Sequence, residues 1–209
     1  MSYEEDDSMA SETYDQKIKV MIIGESLVGK TALITKYTKD KFGGAYLTTV
    51  GIDFQNKYVN INDKKIKVEI WDTAGQERFR NIAKNYFQSS NGFLLVYDTT
   101  NHSSFEKLNY WNEQIQLNAP EGTKYILVGN KIDLKDNRQV TKEEGENFAK
   151  DNGVQFYETS AKDGTNVNDA FELLTKEIIK DIEKISTRNK RSSQVLKKKN
   201  ANNEKKSCC

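Results

Sequence analysis

Gly24-Glu25-Ser26-Leu27-Val28-Gly29-Lys30-Thr31 directly follows the apolar, β-branched stretch Ile18 to Ile23 and opens a segment of helical composition. The pattern G-x-x-x-x-G-K-[ST] requires a strand, a tight glycine-bearing loop and a helix that begins at once. Such a loop turns its backbone N–H groups toward one point at a helix N-terminus, where partial positive charge gathers, and so suits a polyphosphate. Gly24, Ser26, Leu27, Val28 and Gly29 would wrap the phosphates. Lys30 would reach the β and γ phosphates, and the Thr31 hydroxyl would ligate Mg²⁺.

The rest of the chain repeats the strand-to-helix alternation. Phe93 to Tyr97, Tyr125 to Val128 and Val154 to Tyr157 read as short buried strands. Ser103-Ser104-Phe105-Glu106 and Thr141-Lys142-Glu143-Glu144 both fit a capping box. Val167, Ala170, Phe171, Leu174, Ile178, Ile182 and Ile185 form one apolar helical stripe. Ile66, Val68 and Ile70 alternate with charged residues after Asn62-Asp63, which predicts a hairpin with one antiparallel strand. The expected architecture is therefore α/β, a three-layer, mostly parallel sheet with helices on both faces.

Charge divides the chain. The 209 residues carry a net charge of +1, but residues 1–16 hold six acids and no base, and 187–209 hold eight bases and one acid. Those segments sum to −6 and +7 around a neutral body. The expected organisation is an acidic, disordered leader over 1–16, one domain over 17–185, and a basic, flexible tail over 186–209. With a mean hydropathy of −0.79 and no long apolar run, no transmembrane helix is expected, nor a secretory signal, which suggests an intracellular protein. Cys208 and Cys209 are the only cysteines, so a disulfide framework and a thiolate zinc site are excluded. His102, the only histidine, reads as a surface residue and not as the base of a hydrolytic triad.

Three further segments fall at strand ends, where ligands of open α/β sheets bind. Asp72, after the strand Lys67 to Ile70, is a second anchor for Mg²⁺. Asn130-Lys131-Ile132-Asp133 follows the strand Tyr125 to Gly129, and Thr159-Ser160-Ala161-Lys162 follows Val154 to Tyr157. A carboxylate can accept two parallel hydrogen bonds from guanine N1–H and N2–H₂, a pair adenine does not offer. Asp133 is that acceptor in this reading. Asn130 would tie its loop to the phosphate loop or the base, the stems of Lys131 and Lys162 would sandwich the purine, and the Ala161 N–H would meet O6. Ser160 belongs to the same guanine-binding group.

Taken together these residues resemble the small GTPases of the Ras superfamily, and the segments between them are similar to the Rab branch. Thr49-Val50-Gly51-Ile52-Asp53-Phe54 resembles its first switch, Lys67 to Phe79 its second, and Phe93 to Asp98 its fourth strand. The resemblance implies a P-loop GTPase domain with a six-stranded sheet and a GTP hydrolase that acts as a slow, membrane-attached switch in vesicle trafficking. It implies that Thr49 closes onto the γ-phosphate and Mg²⁺, that Gly75 donates its N–H to the same phosphate, and that Gln76, with Lys30 and Gly75, carries catalysis by orienting the attacking water. Phe42 would pack beside the guanine. Val50, Gly51, Ile52, Asp53, Phe54, Trp71 and Tyr86 would form an effector patch. Cys208 and Cys209 would carry geranylgeranyl groups, two chains giving the stable anchoring that one cannot. GTP or GDP with Mg²⁺ would be the ligands. The implied partners are an exchange factor, a GTPase-activating protein, a GDP-dissociation inhibitor, an escort protein with its geranylgeranyl transferase, and effectors. The implied location is the cytoplasmic face of an intracellular membrane. The tail has no aromatic residue to stack on bases, so nucleic acid is not expected.

Leu27 stands where many relatives have Gly or Ala, and it is the one feature favouring the alternative of a scaffold that binds GTP with little hydrolysis. Gly43-Gly44 would loosen the first switch. Gln88-Ser89-Ser90 replaces an Arg-Gly-Ala common in the branch.

Overall fold

A computed structural model of the chain describes residues 13–43, 52–73 and 86–204. Six strands, β1 (Gln16–Ile23), β2 (Ile52–Ile61), β3 (Lys64–Thr73), β4 (Gly92–Asp98), β5 (Lys124–Asn130) and β6 (Gln155–Glu158), form one sheet in the order β2-β3-β1-β4-β5-β6. Only β2 runs antiparallel, paired to β3 from Ile52↔Thr73 to Ile61↔Lys64; every other pairing is parallel. The expected hairpin turns at Asn62 and Asp63, both left-handed (φ 51° and 59°), a conformation their short polar side chains tolerate.

The helices are α1 (Lys30–Lys39), α2 (His102–Glu106), α3 (Leu108–Asn118), α4 (Lys142–Asp151) and α5 (Val167–Glu204). They cover the sheet on both faces, and period-2 alternation along each strand sorts the core into two layers. On one side Ile18, Val20, Ile22, Leu94, Val96, Ile126 and Val128 pack with Leu33, Ile34 and Tyr37 of α1 and Phe171, Leu174 and Ile178 of α5. On the other, Met21, Ile23, Phe93, Leu95, Tyr97 and Leu127 meet Leu108, Trp111 and Ile115 of α3 and Ala149 of α4. Because the strands are buried on both faces they read as near-continuous apolar runs, as parallel strands must.

One of the two expected capping boxes needs revision. The second capping box forms as predicted, with Thr141 and Glu144 exchanging hydrogen bonds. The first does not: α2 is capped by Asn101, whose Oδ1 accepts from the Ser104 N–H, two residues before the Ser103 that the pattern selected. Asn is as strong a cap as Ser, and starting at Asn101 buries Ser104, whose hydroxyl bonds back to Asp98 and Asn101. Just before β1, the Asp15 N–H donates to the Lys65 carbonyl at 2.9 Å and its carboxylate accepts from the Lys65 N–H at 2.7 Å. At the other end α5 runs to Glu204. The segment 187–204 has neither Pro nor Gly, so nothing local ends the helix once it is nucleated.

The stripe on α5 thins outward. Phe171 is buried and stacked on Tyr37 at 4.1 Å, whereas Ile185 is 58% exposed. Phe171→Ala is therefore expected to lower the urea-unfolding free energy by about 3–5 kcal/mol, and Ile185→Ala by less than about 0.5 kcal/mol. Equal losses at the two positions would show that the core extends along the whole helix.

Candidate functional site

The Gly24–Thr31 loop leaves β1 at the C-terminal edge of the sheet. Gly24 sits at φ 140°, and a Cβ there would lie 2.1 Å from the Val96 carbonyl oxygen, so only glycine lets the loop lie against β4. Gly29 caps α1 at φ 95° with no side chain satisfying the helix's first N–H groups and no acid in the first turn. A helix start left that way retains its partial positive charge. Leu27 adopts φ 65° with its side chain 72% exposed, so the loop keeps its path by placing a left-handed leucine in solvent.

Lys30 is buried, and its ammonium donates to the carbonyls of Gly24 (3.0 Å) and Glu25 (2.7 Å). Burial pushes its pKa down to about 8, against the opposing pull of Asp72 and Glu25. Folding thus lowers the pKa, so keeping the amine charged works against the fold below that pH, and an anion brought to the amine relieves the cost. Asp72, also buried, is the last residue but one of β3 and accepts a hydrogen bond from the Thr31 hydroxyl at 2.5 Å, so the two predicted Mg²⁺ anchors meet. Among the described residues no three His, Cys, Asp or Glu side chains gather as a metal cage. A hydroxyl and one carboxylate converging beside a phosphate loop are a donor set that fits Mg²⁺, which takes few protein oxygens and completes its shell with water and phosphate.

At the other end, Asn130 closes β5 and is 1% exposed. Its Nδ2 donates to the Val28 carbonyl at 2.9 Å, which joins the two loops as expected. Its Oδ1 accepts from the Thr159 hydroxyl (3.2 Å) and the Ala161 N–H (3.3 Å). A Cβ on Gly29 would lie 2.4 Å from that same Nδ2, a second reason for glycine there. The Ala161 N–H, expected to face a purine oxygen, makes this long bond, which a shorter one can replace. Asp133 is held by the Ser160 hydroxyl at 2.8 Å and lies 4.0 Å from the Lys162 ammonium. Lys131, at φ 68°, swings back to pair with Asp98 at 2.7 Å. Phe42, 46% exposed, stands free of the core.

Phe54, Trp71 and Tyr86 stack in sequence, with ring centroids 5.3 and 5.1 Å apart. Phe54 is 48% exposed, and the Lys19 ammonium lies 4.0 Å from the Trp71 ring and 4.7 Å from that of Tyr86. Trp71 and Tyr86 are half-buried against the core layer that holds Phe93 and Leu95, and the triad runs outward from there to the exposed Phe54. Asp53 is exposed beside it, and Ile52 begins β2. Ser89, from the divergent triplet, accepts from Lys19 at 2.8 Å. Thr49, Val50, Gly51, Gly75, Gln76, Cys208 and Cys209 lie outside the described residues, as does Gly44.

Two features of the site have no short motif to announce them. Asp98 orients Lys131 because its position is in register with Asn130 across β4 and β5. The Trp111 indole N–H donates to the Glu25 carboxylate at 2.9 Å, joining α3 to the phosphate loop over 86 positions of sequence.

A family model described as the Ras family matches residues 19–180. Ras-related protein Rab-13 of Bos taurus is 42% identical over 197 residues, covering 92% of this chain and 97% of the relative. Ras-related protein Rab-8B of Homo sapiens is 44% identical over 169 residues, 81% of this chain and 82% of the relative. GTP-binding protein ypt2 of Schizosaccharomyces pombe is 43% identical over 187 residues, 90% and 92% of the two chains.

The lowered pKa of Lys30 has a measurable consequence. A phosphate beside the amine favours its protonated form, so GDP binding near pH 8 should be accompanied by proton uptake. Calorimetry in buffers of different ionisation enthalpy measures the uptake directly. Heats independent of buffer at that pH, with binding intact, would contradict the placement of phosphate at Lys30.

Proposed function

Because the chain belongs to the Ras family, as a GTP hydrolase of its Rab branch, we propose that it binds GTP and GDP with Mg²⁺ in the cleft between Gly24–Thr31 and Asn130–Lys162 and switches with the γ-phosphate. The observation that carries this reading is the bond from Asn130 to the Val28 carbonyl. It fixes a carboxylate suited to guanine, Asp133, at a set distance from a loop suited to phosphate. A phosphate loop alone serves ATP as well; the pairing with Asn130 and Asp133 favours guanine.

In this mechanism the loop N–H groups and the start of α1 hold the phosphates, and Lys30 turns its ammonium from the Gly24 and Glu25 carbonyls to the β and γ oxygens. Thr31 and Asp72, joined by Thr49, would hold Mg²⁺, which when bound neutralises charge on the phosphate oxygens. Asp133 reads the purine edge, Ser160 holds Asp133, the Ala161 N–H meets O6, and the stems of Lys131 and Lys162 flank the ring with Phe42 beside it. Gly75 would donate to the γ-phosphate and Gln76 would orient water for in-line attack, while loss of the phosphate would free Thr49 and Gly75. No arginine lies in the phosphate loop or in 44–54, so no finger is offered in cis. Such a finger is worth about 10³ to 10⁵ in rate, so hydrolysis would be slow until an activating protein supplies one.

The Phe54, Trp71 and Tyr86 patch, with Val50, Gly51, Ile52 and Asp53, would present the switch state to effectors. Exchange factors, a GDP-dissociation inhibitor and the escort and geranylgeranyl transferase machinery complete the cycle in this reading. Cys208 and Cys209, geranylgeranylated beside a basic tail, would attach the protein to the cytoplasmic face of an intracellular membrane in vesicle trafficking. Each tail base near an anionic leaflet adds about 1 kcal/mol.

Gln76→Leu is expected to slow single-turnover GTP hydrolysis by about tenfold or more with GTP affinity retained, since water positioning is lost and binding is not. Phosphate release from preloaded protein measures this. Hydrolysis at the wild-type rate would remove Gln76 from the role.

A further inference from the structure

We propose that Trp111 of α3 is a positioning residue for the phosphate loop, tethering it through Glu25 and so setting how long a nucleotide stays bound. The proposal rests on the reading of Gly24–Thr31 as the phosphate site.

The loop is held from outside at two ends by two different elements. At its far end Asn130 of β5 grips the Val28 carbonyl. At its near end Trp111 of α3 donates its indole N–H to the Glu25 carboxylate at 2.9 Å. Between them the loop is braced from within by Lys30, bonded to the carbonyls of Gly24 and Glu25. When Lys30 turns toward phosphate, both of these internal bonds are given up. The Gly24–Glu25 end then depends on what holds it from outside, and Trp111 supplies such a hold.

Two observations make the tether stiff. Trp111 is 4% exposed and packs in the layer that contains Met21, Ile23 and Leu95, so the indole cannot follow the loop if the loop moves. Loss of the acceptor would strand a donor in the core, which resists separation. Gly24, next to Glu25, already lies against the Val96 backbone, so a shift of this end must break packing as well as the hydrogen bond. The same carboxylate lies close enough to Lys30 to favour its charged form. Trp111 thus acts on the phosphates through Glu25 and never by contact.

The test is the release rate of a fluorescent GDP from the full chain, beside single-turnover GTP hydrolysis. Trp111→Phe keeps an aromatic ring in the core and removes the donor; Glu25→Ala removes the acceptor from a half-buried position and leaves the core intact. Each is expected to speed GDP release about tenfold, equivalent to about 1.4 kcal/mol, and Trp111→Phe, which touches no phosphate, to keep the hydrolysis step within twofold of wild type. The double variant should release GDP no faster than either single one, because both break the same bond. Glu25→Gln, which keeps an acceptor oxygen, should restore release to within about twofold of wild type. A merely structural role for Trp111 would lower the melting temperature of Trp111→Phe without moving release in Glu25→Ala. Unchanged release in Glu25→Ala, or effects that add in the double variant, would overturn the tether. Lys30→Ala separates the two claims: if it leaves GDP affinity unchanged, the phosphate reading fails; if it abolishes binding while Glu25→Ala releases normally, only the tether does.

Discussion

Burying an ammonium group costs several kcal/mol unless something negative meets it, and this fold buries that of Lys30. Two carbonyls of its own loop and the nearby carboxylates of Asp72 and Glu25 hold it in waiting. The surroundings follow from that constraint. Gly24 and Gly29 are glycines because the loop must pass against Val96 and Asn130, and α1 begins without a side-chain cap. The Asp72 carboxylate meets the Thr31 hydroxyl where a small hard cation can join them. The sheet's parallel order brings these contributors to one edge.

That order also explains how distant segments act together. β1, β3, β4, β5 and β6 all point the same way, so residues at or next to their C-terminal ends emerge side by side: Gly24, Asp72, Asp98, Asn130 and Thr159. Buried hydrogen bonds then fix their spacing, Asn130 to Val28 across 102 positions and Thr159 to Asn130 across 29. In the proposed reading, the interval these bonds set between Asp133 and the Gly24–Thr31 loop would select a ligand by its length as well as by its base.

Much of this was legible in the sequence, for reasons that vary by residue. The strands announce themselves because two-sided burial leaves runs such as Phe93 to Tyr97, and the hairpin because Ile66, Val68 and Ile70 alternate with charges. Thr141 and Glu144 lie three apart, so their capping box is a local pattern. Asn101 displaced Ser103 as a cap because the choice depends on what Ser104 reaches once buried, which no local pattern carries. The bonds from Asp15 to Lys65, just ahead of β1, were likewise hidden, since an acidic composition does not announce a backbone partner. Trp111 and Glu25 were invisible as a pair, a core aromatic and a loop acid joined only by the packing of α3. Lys131 pairing with Asp98 was missed for the same reason.

The central claim is that the interval from Lys30 to Asp133 fits a guanine nucleotide. Its most direct measurement is displacement of a bound fluorescent GDP by unlabelled nucleotides in the presence of Mg²⁺. Asp133 offers a carboxylate to which N1–H and N2–H₂ can donate together, so GTP should displace the probe at near-stoichiometric concentration while ATP should fail at about a thousandfold excess. Equal displacement by GTP and ATP would contradict the account.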